Sequence, residues 1–171
     1  MYPEIDRNDP SRKRLTARIV DSRTAAATFA GLAGALLFYT LVYVGSYLFA
    51  YVFGIIYSET GGDYYSGLRY LDRIAAQSVS GSPNVIVPFW YLLFLMCVQV
   101  MSAYVAARLA GWMAPGSEYW SALALLAAVC GASYIFSEPD VSASFWWRTL
   151  IAVLSVGAVA AGAHRARQNS Y

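Results

Sequence analysis

The side chains best able to do chemistry in this chain are few and scattered: Cys97, Cys130, the lone His164, and the acids Glu59, Asp63, Asp72, Glu138 and Asp140. A reactive thiolate needs an accessible, electropositive setting. Both cysteines lie in apolar runs without a C-x-x-C spacing, so they read as small buried hydrophobes at similar depth in neighbouring helices. A single histidine supplies neither paired haem ligation nor a histidine-based zinc site. His164 reads as an interfacial residue favoured by the negative end of a helix dipole. The acids would hold a hard cation only if folding gathered them, and spread along the loops they read as solvated. No metal and no cofactor is expected. With no activated nucleophile in view, neither is an enzymatic activity.

Two polar patterns remain. Tyr39, Tyr43, Tyr47 and Tyr51 recur at strict four-residue spacing, with Phe38, Phe49, Phe53 and Tyr57 nearby. On a helix this spacing draws one slowly drifting face. A phenol placed in hydrocarbon needs a hydrogen-bond partner, so the face suits other helices, the headgroup belt or a partner protein better than bare lipid tails. The second pattern is Gln99 followed by Ser102 and Tyr104, the amide being the strongest neutral hydrogen-bonding group inside an apolar run. It suits interhelical contact or a polar path for a neutral solute. Ionisable residues are missing from the centre of every apolar run, which disfavours a proton pump or a carrier of charge.

The elements that position these residues follow from hydropathy. Of 171 residues 58% are hydrophobic and 13% charged, far from the balance of a soluble domain. A bilayer core of about 30 Å takes roughly 20 helical residues to cross. Four runs approach or exceed that length, predicting spans over 25–57, 85–107, 119–136 and 144–163, within one membrane domain from 24 to 171. The first run is too long for a cleavable signal core and reads as a retained anchor. It is also too long for the bilayer, which predicts tilt or projection. The fold class expected is all-α: an antiparallel bundle of four transmembrane helices.

Loop charges orient this bundle. Arg7, Arg12, Lys13, Arg14, Arg18 and Arg23 precede the first span, Arg108 lies between the second and third, and Arg165 and Arg167 follow the fourth. These are nine of the twelve basic residues, and such residues resist translocation. Both termini are therefore expected in the cytoplasm. Asp9 before Pro10 is a helix start, and from it Arg12, Lys13, Arg14 and Arg18 can reach anionic lipid headgroups. In the outer loop 58–84, Gly61-Gly62 and Gly81-Ser82-Pro83 bracket a short interfacial helix. There Leu68, Leu71 and Ala75 would face the membrane, and Arg69, Asp72, Arg73 and Gln77 water. Pro115-Gly116 predicts a tight turn between the second and third spans. Trp146 and Trp147 fit an interfacial aromatic belt, with Arg148 reaching past them.

Small residues recur at four-residue spacing on every span: Ala27, Gly31 and Ala35; Ala103, Ala107 and Gly111; Ala127 and Gly131; Gly157 and Ala161. They permit close helix approach. Eleven of the twelve basic residues are arginine, which suggests a GC-rich prokaryotic genome and hence a prokaryotic cell membrane. The expected partners are the bilayer and either another membrane protein or a second copy, with no nucleic acid. These features favour a non-enzymatic accessory subunit whose tyrosine face binds another membrane component. The alternative is a small homo-oligomeric channel or carrier for a neutral or weakly charged solute.

Overall fold

A computed structural model of the protein describes residues 10–80, 89–136 and 145–169, and the burial of side chains over 21–74, 90–133 and 149–169. The expectations for residues 1–9, for 81–88 and 137–144, for the side chains of Arg12, Lys13, Arg14, Arg18, Ala75 and Gln77, and for Trp146, Trp147 and Arg148 lie outside these. Among the described residues five helices account for the secondary structure: α1 (Pro10–Glu59), α2 (Tyr64–Ser80), α3 (Phe89–Met113), α4 (Glu118–Phe136) and α5 (Phe145–Gln168).

Local chemistry sets their ends. Helix α1 starts at Pro10, whose fixed φ and missing N–H suit a first helical position, and continues unbroken for 50 residues. At 1.5 Å per residue that is about 75 Å, well beyond one bilayer. It stops at Gly61, whose φ of 90° is a left-handed conformation open to glycine. The Gly61 N–H donates to the Ser58 carbonyl and the Gly62 N–H to the Tyr57 carbonyl, both at 3.2 Å, closing a Schellman cap. Asp63 then caps α2, its Oδ2 accepting from the Ser66 N–H at 3.2 Å. Between α3 and α4, the Ser117 N–H donates to the Ala114 carbonyl at 3.0 Å, with Pro115 and Gly116 (φ 78°) at the central positions of a type II turn. The buried Glu118 side chain completes it, Oε1 accepting from the Gly116 N–H at 2.8 Å.

Helix directions follow from residue neighbours. Gly31 of α1 abuts Ser121 and Ala124 of α4, and Tyr39 reaches Val129, so these two helices run parallel. Gly34 lies against Ala106 and Ala110, and Gly45 against Val98, so α3 runs the other way. Gly162 meets Tyr104 and Ala107, and Ala166 meets Gly111, so α5 runs parallel to α3. Helices α3 and α5 pack most extensively, α1 packs on both α3 and α4, and among the described residues the backbones of α1 and α5 do not approach closely. The shared core is small: Ala103, Ala106, Ala107, Ala110 and Ala163, with Phe38, Ala122, Leu125 and Val159 filling between them. Ala27 and Ala30 close on Ala114, so the α3–α4 turn sits level with this part of α1. The residues of α1 before Ala27 therefore extend past the other helices.

Among the described residues three helices are long and apolar enough to cross a membrane: Asp21–Glu59, Trp90–Met113 and Thr149–Gln168. Helix α4 is a shorter apolar helix. The chain is thus all-α with membrane-spanning character. Helix α2 corrects one expectation: its apolar face, with Leu71 and Ile74, is buried inside the protein rather than turned to the membrane, although Arg69, Asp72 and Arg73 are exposed as expected. The Gly61-Gly62 cap folds α2 back onto the aromatic end of α1, which covers that face first. The small-residue runs divide in the same way. Those of α1 and α3 are buried in helix contacts, while Ala127 and Gly131 on α4 and Gly157 and Ala161 on α5 are exposed. No described residue lies within 4 Å of a Cβ placed at Gly131 or Gly157.

Candidate functional site

The tyrosine series on α1 is divided by the fold. Tyr39 donates through its hydroxyl to the Val129 carbonyl at 3.2 Å and lies 3.5 Å from Ser133 Oγ, tying α1 to α4. Tyr51 meets α2, its ring 6.4 Å from that of Tyr64 at 70°. Between them Tyr43 and Tyr47 are 73% and 65% exposed. Phe29, Leu32 and Leu36 extend the same exposed stripe down α1. Positions 29, 32, 36, 39 and 43 alternate steps of three and four, the spacing of a helix seam made for another helix. The opposite face, with Gly31, Gly34, Ala35 and Phe38, is buried against α3 and α4.

A second aromatic group occupies another face of α1. Phe49 stacks on Phe94 with centroids 3.9 Å apart, and Phe53 stacks on Trp90 at 5.6 Å and on Tyr70 at 6.3 Å. It welds the end of α1 to α2 and to the start of α3 by offset stacking. Emphasis on the tyrosines passed over this cluster. Phe49, Phe53 and Tyr57 also follow four-residue spacing, and Trp90, Tyr91 and Phe94 open α3, so the pattern was present in the residues.

Gln99, Ser102 and Tyr104 are not brought together. Gln99 lines a cavity of about 550 Å³ shared by α1, α3, α4 and α5, whose polar lining is completed by Ser133, Ser155 and Cys130. Ser102 is buried elsewhere, and Tyr104 lines a separate cavity of about 450 Å³ with Arg108, Trp112 and Asn169. The helical repeat explains the split, because five residues turn Tyr104 about 140° around α3 from Gln99.

The thiols correct another expectation. Cys97 and Cys130 are both exposed rather than buried, and both are free. Apolar residues on a helix that meets lipid need no protein cover, so an apolar run does not imply burial in the protein. Only Cys130 lines the cavity. His164 sits near the end of α5, where Nδ1 is 3.4 Å from the Tyr119 hydroxyl and Nε2 is 3.1 Å from Gln168 Nε2. The Arg167 guanidinium lies 5.6 Å above the Tyr119 ring, a cation–π contact that joins α5 to α4. Among the described residues no three His, Cys, Asp or Glu side chains gather around a possible metal position. No family model matches this chain, and no curated protein or solved structure matches it.

Proposed function

We propose that this protein is a non-enzymatic, multi-pass subunit of a prokaryotic cell membrane that binds another membrane protein through the exposed stripe of α1. In this reading α1, α3, α4 and α5 form a four-span antiparallel bundle with both termini in the cytoplasm. The alternation of helix direction supports it, because the basic residues of α1, Arg108, Arg165 and Arg167 then share one end. Helix α4 spans within the shelter of α1, α3 and α5, which shortens the stretch it must present to lipid.

The observation that carries the proposal is the pair Tyr43 and Tyr47, exposed on α1 with no hydrogen bond to another described residue. Between the level of Ala27 at one end and Phe53 at the other, Tyr43 falls close to the middle of the bundle. A phenol at that depth leaves its hydroxyl without water, and a partner helix can supply the missing acceptor. Stoichiometric capture in mild detergent from the native membrane, with particle mass and composition determined together, tests this. A reproducible foreign subunit that Tyr43→Phe combined with Tyr47→Phe displaces is the expected result; a pure homo-oligomer refutes it.

A further inference from the structure

The cavity around Gln99 has an architecture distinct from the α1 stripe. Its back wall is Phe38 from α1, Ala103 from α3, Leu125 from α4 and Val159 from α5, all buried. Beyond them Ala106, Ala107, Ala110 and Ala163 have no exposure at all, so the cavity ends blind within the protein. On the other side Cys130, Ser133, Ala152 and Val156 are exposed, so it opens sideways between α4 and α5. In a membrane that opening faces hydrocarbon. A volume of about 550 Å³ is within the roughly 300–1,000 Å³ of small-molecule sites.

The lining defines what fits. Among the described residues no carboxylate, amine, guanidine or imidazole faces the cavity, so a charged occupant would lose its hydration without compensation. Most of the wall is aliphatic. Yet the Gln99 amide and the Ser155 hydroxyl line it, neither hydrogen-bonded to another described residue, whereas Ser133 is already engaged with Tyr39. Polar groups in so apolar a setting stabilise an occupant that pairs with them. We propose that the cavity between α4 and α5 binds an uncharged, largely hydrocarbon molecule that presents one hydrogen-bonding oxygen to the Gln99 amide. Ser155 offers a second contact to the same oxygen. This site rests on the membrane setting of α3, α4 and α5 but not on the partner of α1.

The test is photolabelling of the full chain in phosphatidylcholine nanodiscs with a diazirine-bearing octanol, mapped by peptide mass. Saturable labelling of the α4 and α5 peptides carrying Cys130 and Ser155 is expected, with octanol competing roughly three- to tenfold better than octane, the margin of one hydrogen bond. Gln99→Leu should erase that difference while labelling persists, and Ala152→Trp, which fills the mouth, should abolish saturable labelling. Three results would overturn the proposal: competition by octane equal to that by octanol in the native chain, saturable labelling by the matching octanoate at pH 8, or labelling that never saturates because bilayer chains hold the cavity. Because the readout needs no second polypeptide, loss of the α1 partner leaves it unaffected.

Discussion

Replacing Gly162 by alanine should separate α3 from α5, and the structure sets the size of the effect. A Cβ at Gly162 would lie 2.5 Å from the Tyr104 carbonyl oxygen, 3.1 Å from Ala107 Cβ and 3.1 Å from the Arg108 nitrogen. Two of these atoms are helix backbone and cannot rotate away. Ordinary contact begins near 3.4 Å, so the helices must part by up to about 0.9 Å along this line. A radial gap of roughly 0.5–1 Å forfeits a quarter to a half of the dispersion well at each contact it opens. The neighbours on this interface, Ala107, Ala163 and Ala166, are fully or almost fully buried and have no longer side chains to refill it. Overpacking of this kind costs about 2–3 kcal/mol, and the better helix propensity of alanine returns about 1 kcal/mol. A net loss of about 1–2 kcal/mol follows. Gly157→Ala, five residues earlier on the same helix, is the control, because nothing lies within 4 Å of its new methyl. That variant should gain about 0.5–1 kcal/mol. Unfolding of both proteins in mixed micelles against a denaturing detergent measures the two shifts. The packing argument fails if Gly162→Ala is as stable as the native chain, or if the two substitutions move stability in the same direction.

Gly116→Ala should destabilise the α3–α4 turn by about 1 kcal/mol in the same titration, since a Cβ disfavours the positive φ held there. Asp63→Ala removes the cap of α2 and should cost about 1 kcal/mol, seen as faster amide exchange over the first turn from Tyr64, while Asp63→Asn should retain most of the protection. Tyr39→Phe deletes the hydroxyl that donates to Val129 and should cost about 0.5–1.5 kcal/mol of unfolding free energy. Tyr43→Phe should leave that free energy unchanged, because its hydroxyl bonds to no described residue; an equal loss at both positions would show that Tyr43 is tied within the chain.

Helix ends and turns were the legible part of this fold, because their chemistry is local. Pro10, Gly61, Pro115 and Gly116 act on their own backbone or that of residues a few positions away, and each marks an end or turn where its residue type predicts one, whereas the cap that Asp63 makes on α2 was not read from the sequence. Amphipathy was legible in α2, but not that the protein itself covers its apolar face. That helix has protein on one side and polar surroundings on the other, so Leu71 and Ile74 contrast with Arg69, Asp72 and Arg73 along its length.

In α1, α3, α4 and α5 the contrast vanishes: exposed and buried faces alike are apolar, as they can be where a helix meets lipid. Composition therefore determined that this chain has helices long and apolar enough to cross a membrane, with no charge at the centre of any apolar run. Only tertiary packing decided which faces close. Gly31, Gly34 and Gly162 are buried because a carbonyl or a neighbouring helix occupies the space a side chain would need, while Gly131 and Gly157, the same residue type in the same spacing, face outward. Packing also gave Tyr39 to α4 and Tyr51 to α2, left Tyr43 and Tyr47 open, and placed Gln99 with Cys130 and Ser155 in a blind cavity apart from Tyr104. These pairings depend on how each helix is rotated about its axis, and in hydrocarbon that rotation is fixed by the shapes of neighbouring helices rather than by hydropathy.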